Sequence, residues 1–180
     1  MVMLTVIFWF IILLALLAWV LGLIWWYGWI FWSMATGGGP YVPSKNERVA
    51  NMLALAGIKP TDRVVDLGSG DGRIVFAAAA AGAKEAVGYE IHPVLVWWSH
   101  FRCRRMPNGE RCRFIRQSFW HADFHGFDVV FLYQLPKTMR RLTDKLRDQL
   151  PADVRVVSNA FELPGWRQVA EKDRIFLYQK

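Results

Sequence analysis

VVDLGSGDGR, Val64 to Arg73, decides the fold. A short β-branched run ends at Asp66, and Gly68, Gly70 and Gly72 follow at alternate positions before an apolar helical pattern begins. Strand, glycine turn and helix in this order open a parallel sheet. The turn lies where such sheets bind nucleotide-like ligands, beyond the carboxyl end of the first strand.

Outward from this turn, apolar runs alternate with helical patterns. Strands are predicted near Arg63–Asp66, Ala86–Glu90, Arg113–Arg116, Asp128–Tyr133 and Arg155–Ser158, and helices near Gly72–Ala81, Pro93–Arg105 and Pro136–Leu150. The pattern is α/β, a doubly wound, mostly parallel Rossmann-like sheet. Its tail departs from the alternation, because Trp166–Glu171 and Arg174–Gln179 flank Lys172-Asp173 with no room for a crossover helix, which predicts a C-terminal antiparallel hairpin. Upstream, Ser44-Lys45-Asn46-Glu47 has the form of a capping box, and Val49, Met52, Leu53 and Ala56 follow at helical spacing. Two helical stripes, Val94/Trp97/Trp98/Phe101 and Met139/Leu142/Leu146/Leu150, read as core faces.

The charges are segregated. No Asp, Glu, Lys or Arg precedes Lys45, so the net charge of +7 belongs to the segment that begins there. Before it, Val2 to Trp32 is uncharged and exceeds the roughly 20 helical residues that cross a bilayer core of about 30 Å. Trp25, Trp26, Tyr27, Trp29 and Trp32 crowd its end, as interfacial aromatic rings do. A cleavable signal would need a basic start and a shorter apolar run. The expected organisation is therefore a retained single-pass transmembrane anchor at 1–34, a Gly/Pro linker at 35–43 and a soluble domain at 44–180. Every basic residue follows the span, which places that domain on the cytoplasmic or an equivalent side. There Cys103 and Cys112 would stay reduced, and the domain's charge would attract anionic lipid headgroups.

The dinucleotide fingerprint rests a pyrophosphate on a helix N-terminus. Here the turn reads D-x-G-x-G-x-G, with Asp66 at the strand end and Asp71 inside, and two carboxylates oppose a pyrophosphate. They suit a phosphate-free ligand carrying an ammonium and a sulfonium, S-adenosylmethionine. Glu90 ends the second strand, where an acidic side chain accepts ribose hydroxyls. The same residues also fit a plainer account, in which the glycines only make a tight turn, Asp71 caps a helix and Glu90 is a solvated strand end. His121-x3-His125 invites a metal, but no carboxylate or thiolate pattern completes a site, so none is expected.

From Ser44 to Lys180 the chain resembles the class I, seven-β-strand methyltransferases. The resemblance assigns Asp66, Gly68, Ser69, Gly70 and Gly72 to the methionine moiety and Glu90 to the ribose. It puts the adenine after the third strand, where Ser118 and Phe119 stand in Gln117-Ser118-Phe119-Trp120 in place of the usual Asp and apolar residue. PYVPS at 40–44, VGYEIHP at 87–93 and FELPGW at 161–166 narrow the likeness. They look like the membrane-anchored protein-lysine methyltransferases that modify the c-type rotor protein of ATP synthase and the adenine nucleotide translocase. That resemblance implies methylation of a lysine on a membrane protein.

Methyl transfer from a sulfonium is an in-line displacement that rests on alignment, and the lysine must first lose its proton, which a partly desolvated channel favours. Tyr41 and Tyr133, with Trp120 and Phe161, are placed to line such a channel. Leu132-Tyr133-Gln134-Leu135-Pro136 lacks the [N/D]-P-P-[Y/F/W] turn of base methyltransferases, so nucleic acid is not the expected partner despite the arginines between Arg102 and Arg116. Two other readings stay open: a methyltransferase acting on a lipid or other small membrane-associated molecule, and a non-catalytic cofactor-binding membrane module.

Overall fold

The computed structural model describes residues 2–35 and 41–180. The chain divides into two compact units, 1–40 and 41–180.

In the first unit, α1 (Val2–Ala35) is one continuous helix with no charged residue. Its segment Val2–Trp25 is long and apolar enough to cross a membrane, and none of it is buried. The side chains of Trp26, Trp29 and Trp32 and the expected linker at 36–40 lie outside the described residues.

The second unit opens with α2 (Asn46–Ala56) and continues as β1 (Arg63–Leu67), α3 (Arg73–Ala80), β2 (Glu85–Glu90), α4 (Pro93–Cys103), β3 (Cys112–Arg116), β4 (Val129–Leu132), α5 (Pro136–Gln149), β5 (Arg155–Asn159), β6 (Arg167–Lys172) and β7 (Ile175–Gln179). The seven strands form one sheet in the order β3-β2-β1-β4-β5-β7-β6. β1 to β5 run parallel, and β7 pairs antiparallel with both β5 and β6. The expected hairpin is present. Its tight connection is made by Asp173 (φ 53°) and Arg174 (φ 58°), the positive-φ pair of a type I′ turn.

The central strands read as continuous apolar runs because both their faces are covered. Alternation along each strand sorts the core into two layers. Val65, Leu67, Val130, Leu132 and Val156 face one layer with Met139, Leu142 and Leu146 of α5, whose stripe is core as its spacing predicts. Val64, Val129, Phe131 and Val157 face the other, with Met52 of α2 and Ile74 and Phe76 of α3. An ion pair ties the layers' rim together. Arg155 contacts Asp62 at 2.6 Å and donates to the carbonyls of Ala56 and Gly57, joining the end of α2 to β1 and β5.

Two local expectations are corrected. Ser44 does not cap α2. Lys45 holds the N-cap position without a side-chain hydrogen bond, and the Ser44 hydroxyl instead accepts from Asn159 Nδ2 at 3.2 Å, lacing the segment to β5. The stripe Val94/Trp97/Trp98/Phe101 is not core, because all four side chains are exposed. Val96 and Ser99 are the buried residues of α4, and with Cys103 they lie about 180° round the helix from the aromatic stripe at 100° per residue. A small-residue face packs there because the helix lies against the glycine turn, where Ser99 Oγ donates to the Gly70 carbonyl at 3.4 Å.

Candidate functional site

The glycine turn leaves β1 and is strapped at once to the end of β2. The N–H groups of Gly68 and Ser69 both donate to the Tyr89 carbonyl, at 2.9 and 3.0 Å, and Gly72 N donates to Ser69 O at 2.9 Å. Gly70 N donates to Glu90 Oε2 at 2.9 Å, while Glu90 Oε1 accepts from His92 N at 2.8 Å. Each Glu90 oxygen so engaged keeps a further lone pair, enough to accept two vicinal hydroxyls. The turn itself requires glycine where it is tightest. Gly72 has φ 80°, and a Cβ there would lie 2.6 Å from the Phe114 ring.

The acids divide into two kinds. Asp66 is buried at the floor of the turn, and burial, reinforced by Glu90 and then Asp71, pushes its carboxyl up to about 8. A cation arriving there would draw off its proton and pair with the carboxylate. Asp71 behaves differently from its expected part in a cationic cradle. Arg73 Nη2 contacts it at 2.7 Å and Arg102 Nη1 at 3.7 Å. Burial pulls the Asp71 carboxyl upward, but the hydrogen bonds and charge of Arg73 overcome this and hold it below the usual range. Its charge is spent within the protein, and the case against a pyrophosphate rests on Asp66 and Glu90.

Ser69 Oγ is buried with no hydrogen-bond partner among the described residues, so the turn carries an unused polar group. The loop after β3 closes on the same end of the sheet, since Gln117 N donates to the Glu90 carbonyl at 3.1 Å. Lys145 of α5 holds that loop from below, with Nζ at 2.9 Å from Trp120 O and 2.6 Å from Ala122 O. Ser118 Oγ accepts weakly from Trp120 N at 3.4 Å, whereas the Phe119 side chain is buried in the core. Ser118 is thus brought beside Glu90, and Phe119 can offer a ligand its backbone more readily than its ring.

The aromatic residues of the expected channel fall into separate places. Tyr41 lies on the turn, where a Cβ on Gly70 would be 2.7 Å from its ring, and burial, then the Asp71 carboxylate, raises its phenol above the usual range. Tyr133, at the end of β4, is stacked on Phe161 with ring centroids 6.3 Å apart. Phe161 also borders a cavity of about 570 Å³ that Met139, Arg140, Glu162, Glu171 and Arg174 help to line. Trp120 instead packs on Phe119 and beneath Arg141, 4.4 Å from its ring.

Three residues that motif reading passes over build the site. Gln134 is buried and donates to the Leu67 carbonyl at 2.7 Å, fixing the turn's first peptide from β4. Gly88 lies beneath the turn, where a Cβ would stand 2.5 Å from Ser69 Oγ. The strand-interior glycine in VGYE was the available signal for that close approach. Arg73 joins Asp71 to the Ser44 carbonyl and so ties the turn to the segment ahead of α2.

This geometry has relatives. The ANTKMT methyltransferase domain matches residues 66–170, more than half of the chain. The Xenopus laevis lysine N-methyltransferase of the ATP synthase c-type rotor protein is 41% identical over 127 residues, covering 71% of this chain and 55% of that protein. The adenine nucleotide translocase lysine N-methyltransferase of Mus musculus is 37% identical over 143 residues, covering 77% and 62%. This chain thus spans little more than half the length of these two relatives. Among solved structures, an RNA methyltransferase from Salinibacter ruber in complex with S-adenosyl-L-homocysteine is 35% identical, with a TM-score of 0.70 over 76% of this chain and 91% of that one. By the extent of the domain match and by these identities, the chain belongs to the ANTKMT methyltransferase domain family.

Proposed function

We propose that the chain is a membrane-anchored, S-adenosylmethionine-dependent protein-lysine N-methyltransferase acting on a membrane protein, with α1 as its anchor and residues 44–180 as its catalytic domain. The observation that carries the reading is the clasp of Glu90 on the glycine turn beside the buried, protonated Asp66. It fits a ligand with a ribose diol and a positive charge. The unpartnered Ser69 hydroxyl fits the same ligand's methionine end. S-adenosylmethionine, when bound, supplies an electrophilic methyl group on sulfur.

The protein's own residues bind and orient. Glu90 accepts the ribose hydroxyls; Asp66, Gly68, Ser69, Gly70 and Gly72 surround the methionine moiety; Ser118 and the backbone of Phe119 border the adenine. Tyr41 covers the turn from outside, and Tyr133 with Phe161 lines the approach of the acceptor. Glu162 and Glu171 in the adjoining cavity attract a lysine ammonium toward it. Apolar walls then favour the neutral amine that attacks. The lysine specificity follows the two curated relatives, and the membrane protein follows both their substrates and the apolar α1. The basic domain faces the anionic cytoplasmic or equivalent leaflet.

Membranes incubated with the full chain and methyl-labelled cofactor, then separated into protein, lipid and nucleic acid, test this. Label in a protease-sensitive fraction is expected. Label confined to lipid, or to RNA as the Salinibacter ruber relative's activity would give, refutes the substrate class.

A further inference from the structure

The four side chains displaced from the core of α4 form a surface of their own. Trp97 is 64% exposed, Val94 48%, Trp98 43% and Phe101 38%. Trp97 and Trp98 both stack on Phe101, at 5.8 and 5.7 Å between centroids, so the rings form one patch. Arginines continue it: Arg105 lies over the Phe101 ring at 3.6 Å, and Arg104, exposed, follows the helix directly. No Asp or Glu occurs from Ile91 to Gly109. The first acid beyond, Glu110, faces Arg111 at 3.9 Å.

An apolar aromatic face bordered only by cations matches one partner chemistry, the headgroup layer of an anionic bilayer. Trp and Phe enter the headgroup and acyl boundary, while guanidinium groups meet lipid phosphates. The short connection to α1 brings such a surface within range. Five residues, Thr36 to Pro40, separate α1 from the second unit, a reach on the order of 20 Å when fully extended. We infer that the outer face of α4, through Val94, Trp97, Trp98, Phe101, Arg104 and Arg105, is a second membrane-docking surface that lays the domain on an anionic bilayer. The inference rests on the membrane placement proposed above. Docking through α4 would fix the orientation of the glycine turn it packs against, which a tether alone cannot do.

The test uses the full chain in nanodiscs of phosphatidylcholine, with or without phosphatidylglycerol, whose acyl chains carry bromine near the headgroup. Tryptophan quenching is compared between wild type and the double variant Trp97→Phe/Trp98→Phe. The difference between the two reports α4, and the tryptophans retained in the variant report α1. The expected result is quenching of the difference signal that requires phosphatidylglycerol, falls at high salt, and falls also in Arg104→Glu/Arg105→Glu. An unquenched difference signal beside quenched α1 tryptophans refutes the docking surface and leaves the anchor standing. The same optical result with self-association that Trp97→Phe/Trp98→Phe abolishes would assign the face to a second copy and also overturn the inference. If no tryptophan is quenched, the membrane placement falls, and this inference with it.

Discussion

Replacing Asp66 by Asn separates the two jobs assigned to that position. The carboxyl is buried, and its burial, reinforced by Glu90, raises it from 3.8 to about 8 in the folded protein. The unfolded chain ionises at the ordinary value, so between about pH 4 and 8 the native state binds more protons than the unfolded one. Stability is therefore fully present below the unfolded value and is lost as pH rises toward 8. A separation of about four units sets a ceiling on the order of 5 kcal/mol for this loss. Asp66→Asn keeps the shape and cannot ionise, so its stability should stay nearly flat over the same range and overtake wild type near the folded value. Denaturant unfolding of ligand-free protein in detergent at about pH 5 and about pH 8 measures both. Cofactor binding should show the opposite trend, because pairing with an ammonium requires the carboxylate. Calorimetric affinity of wild type should rise toward the folded value with release of a proton, up to about tenfold per unit below it. For Asp66→Asn it should be weak and insensitive to pH. Parallel pH profiles for the two proteins in both measurements would refute the role of Asp66.

Gly88→Ala places a methyl group 2.5 Å from Ser69 Oγ, so the turn must lift. A cost of about 1 to 3 kcal/mol in stability is expected from the overpacking, together with a large loss of cofactor affinity by calorimetry. Arg155→Met leaves Asp62 buried without its ion pair and should cost about 3 to 5 kcal/mol in denaturant unfolding. Gln134→Ala removes the hydrogen bond to the Leu67 carbonyl, and about 1 kcal/mol of stability with it. It should weaken cofactor binding further through the loosened turn, as a raised dissociation constant would show.

The sheet was legible because its signals are local. Continuous β-branched runs, glycine punctuation and the short Lys172-Asp173 connection each carry their structure in adjacent residues, and the strand and hairpin positions follow from them. The glycine turn was legible for the same reason. What escaped depends on contacts distant in the chain. A helical stripe such as Val94/Trp97/Trp98/Phe101 states that a face is apolar but not which side of the helix meets the sheet. Here the need for a small face against Gly70 turned Ser99 inward and the aromatics outward. Asp71 counts as a site carboxylate in the sequence, yet Arg73 and Arg102 claim it in the fold. Gln134 reaches its partner across 67 positions, and no spacing rule anticipates such a bond.

The central claim is transfer of a methyl group to a lysine of a membrane protein. Tandem mass spectrometry of membranes incubated with the full chain and trideuteromethyl-labelled cofactor tests it most directly, with Glu90→Gln as the control. The account predicts a lysine peptide of a membrane protein that gains the heavy methyl group with wild type and not with Glu90→Gln. Heavy methyl groups in lipid or RNA, with every lysine unlabelled, would contradict it.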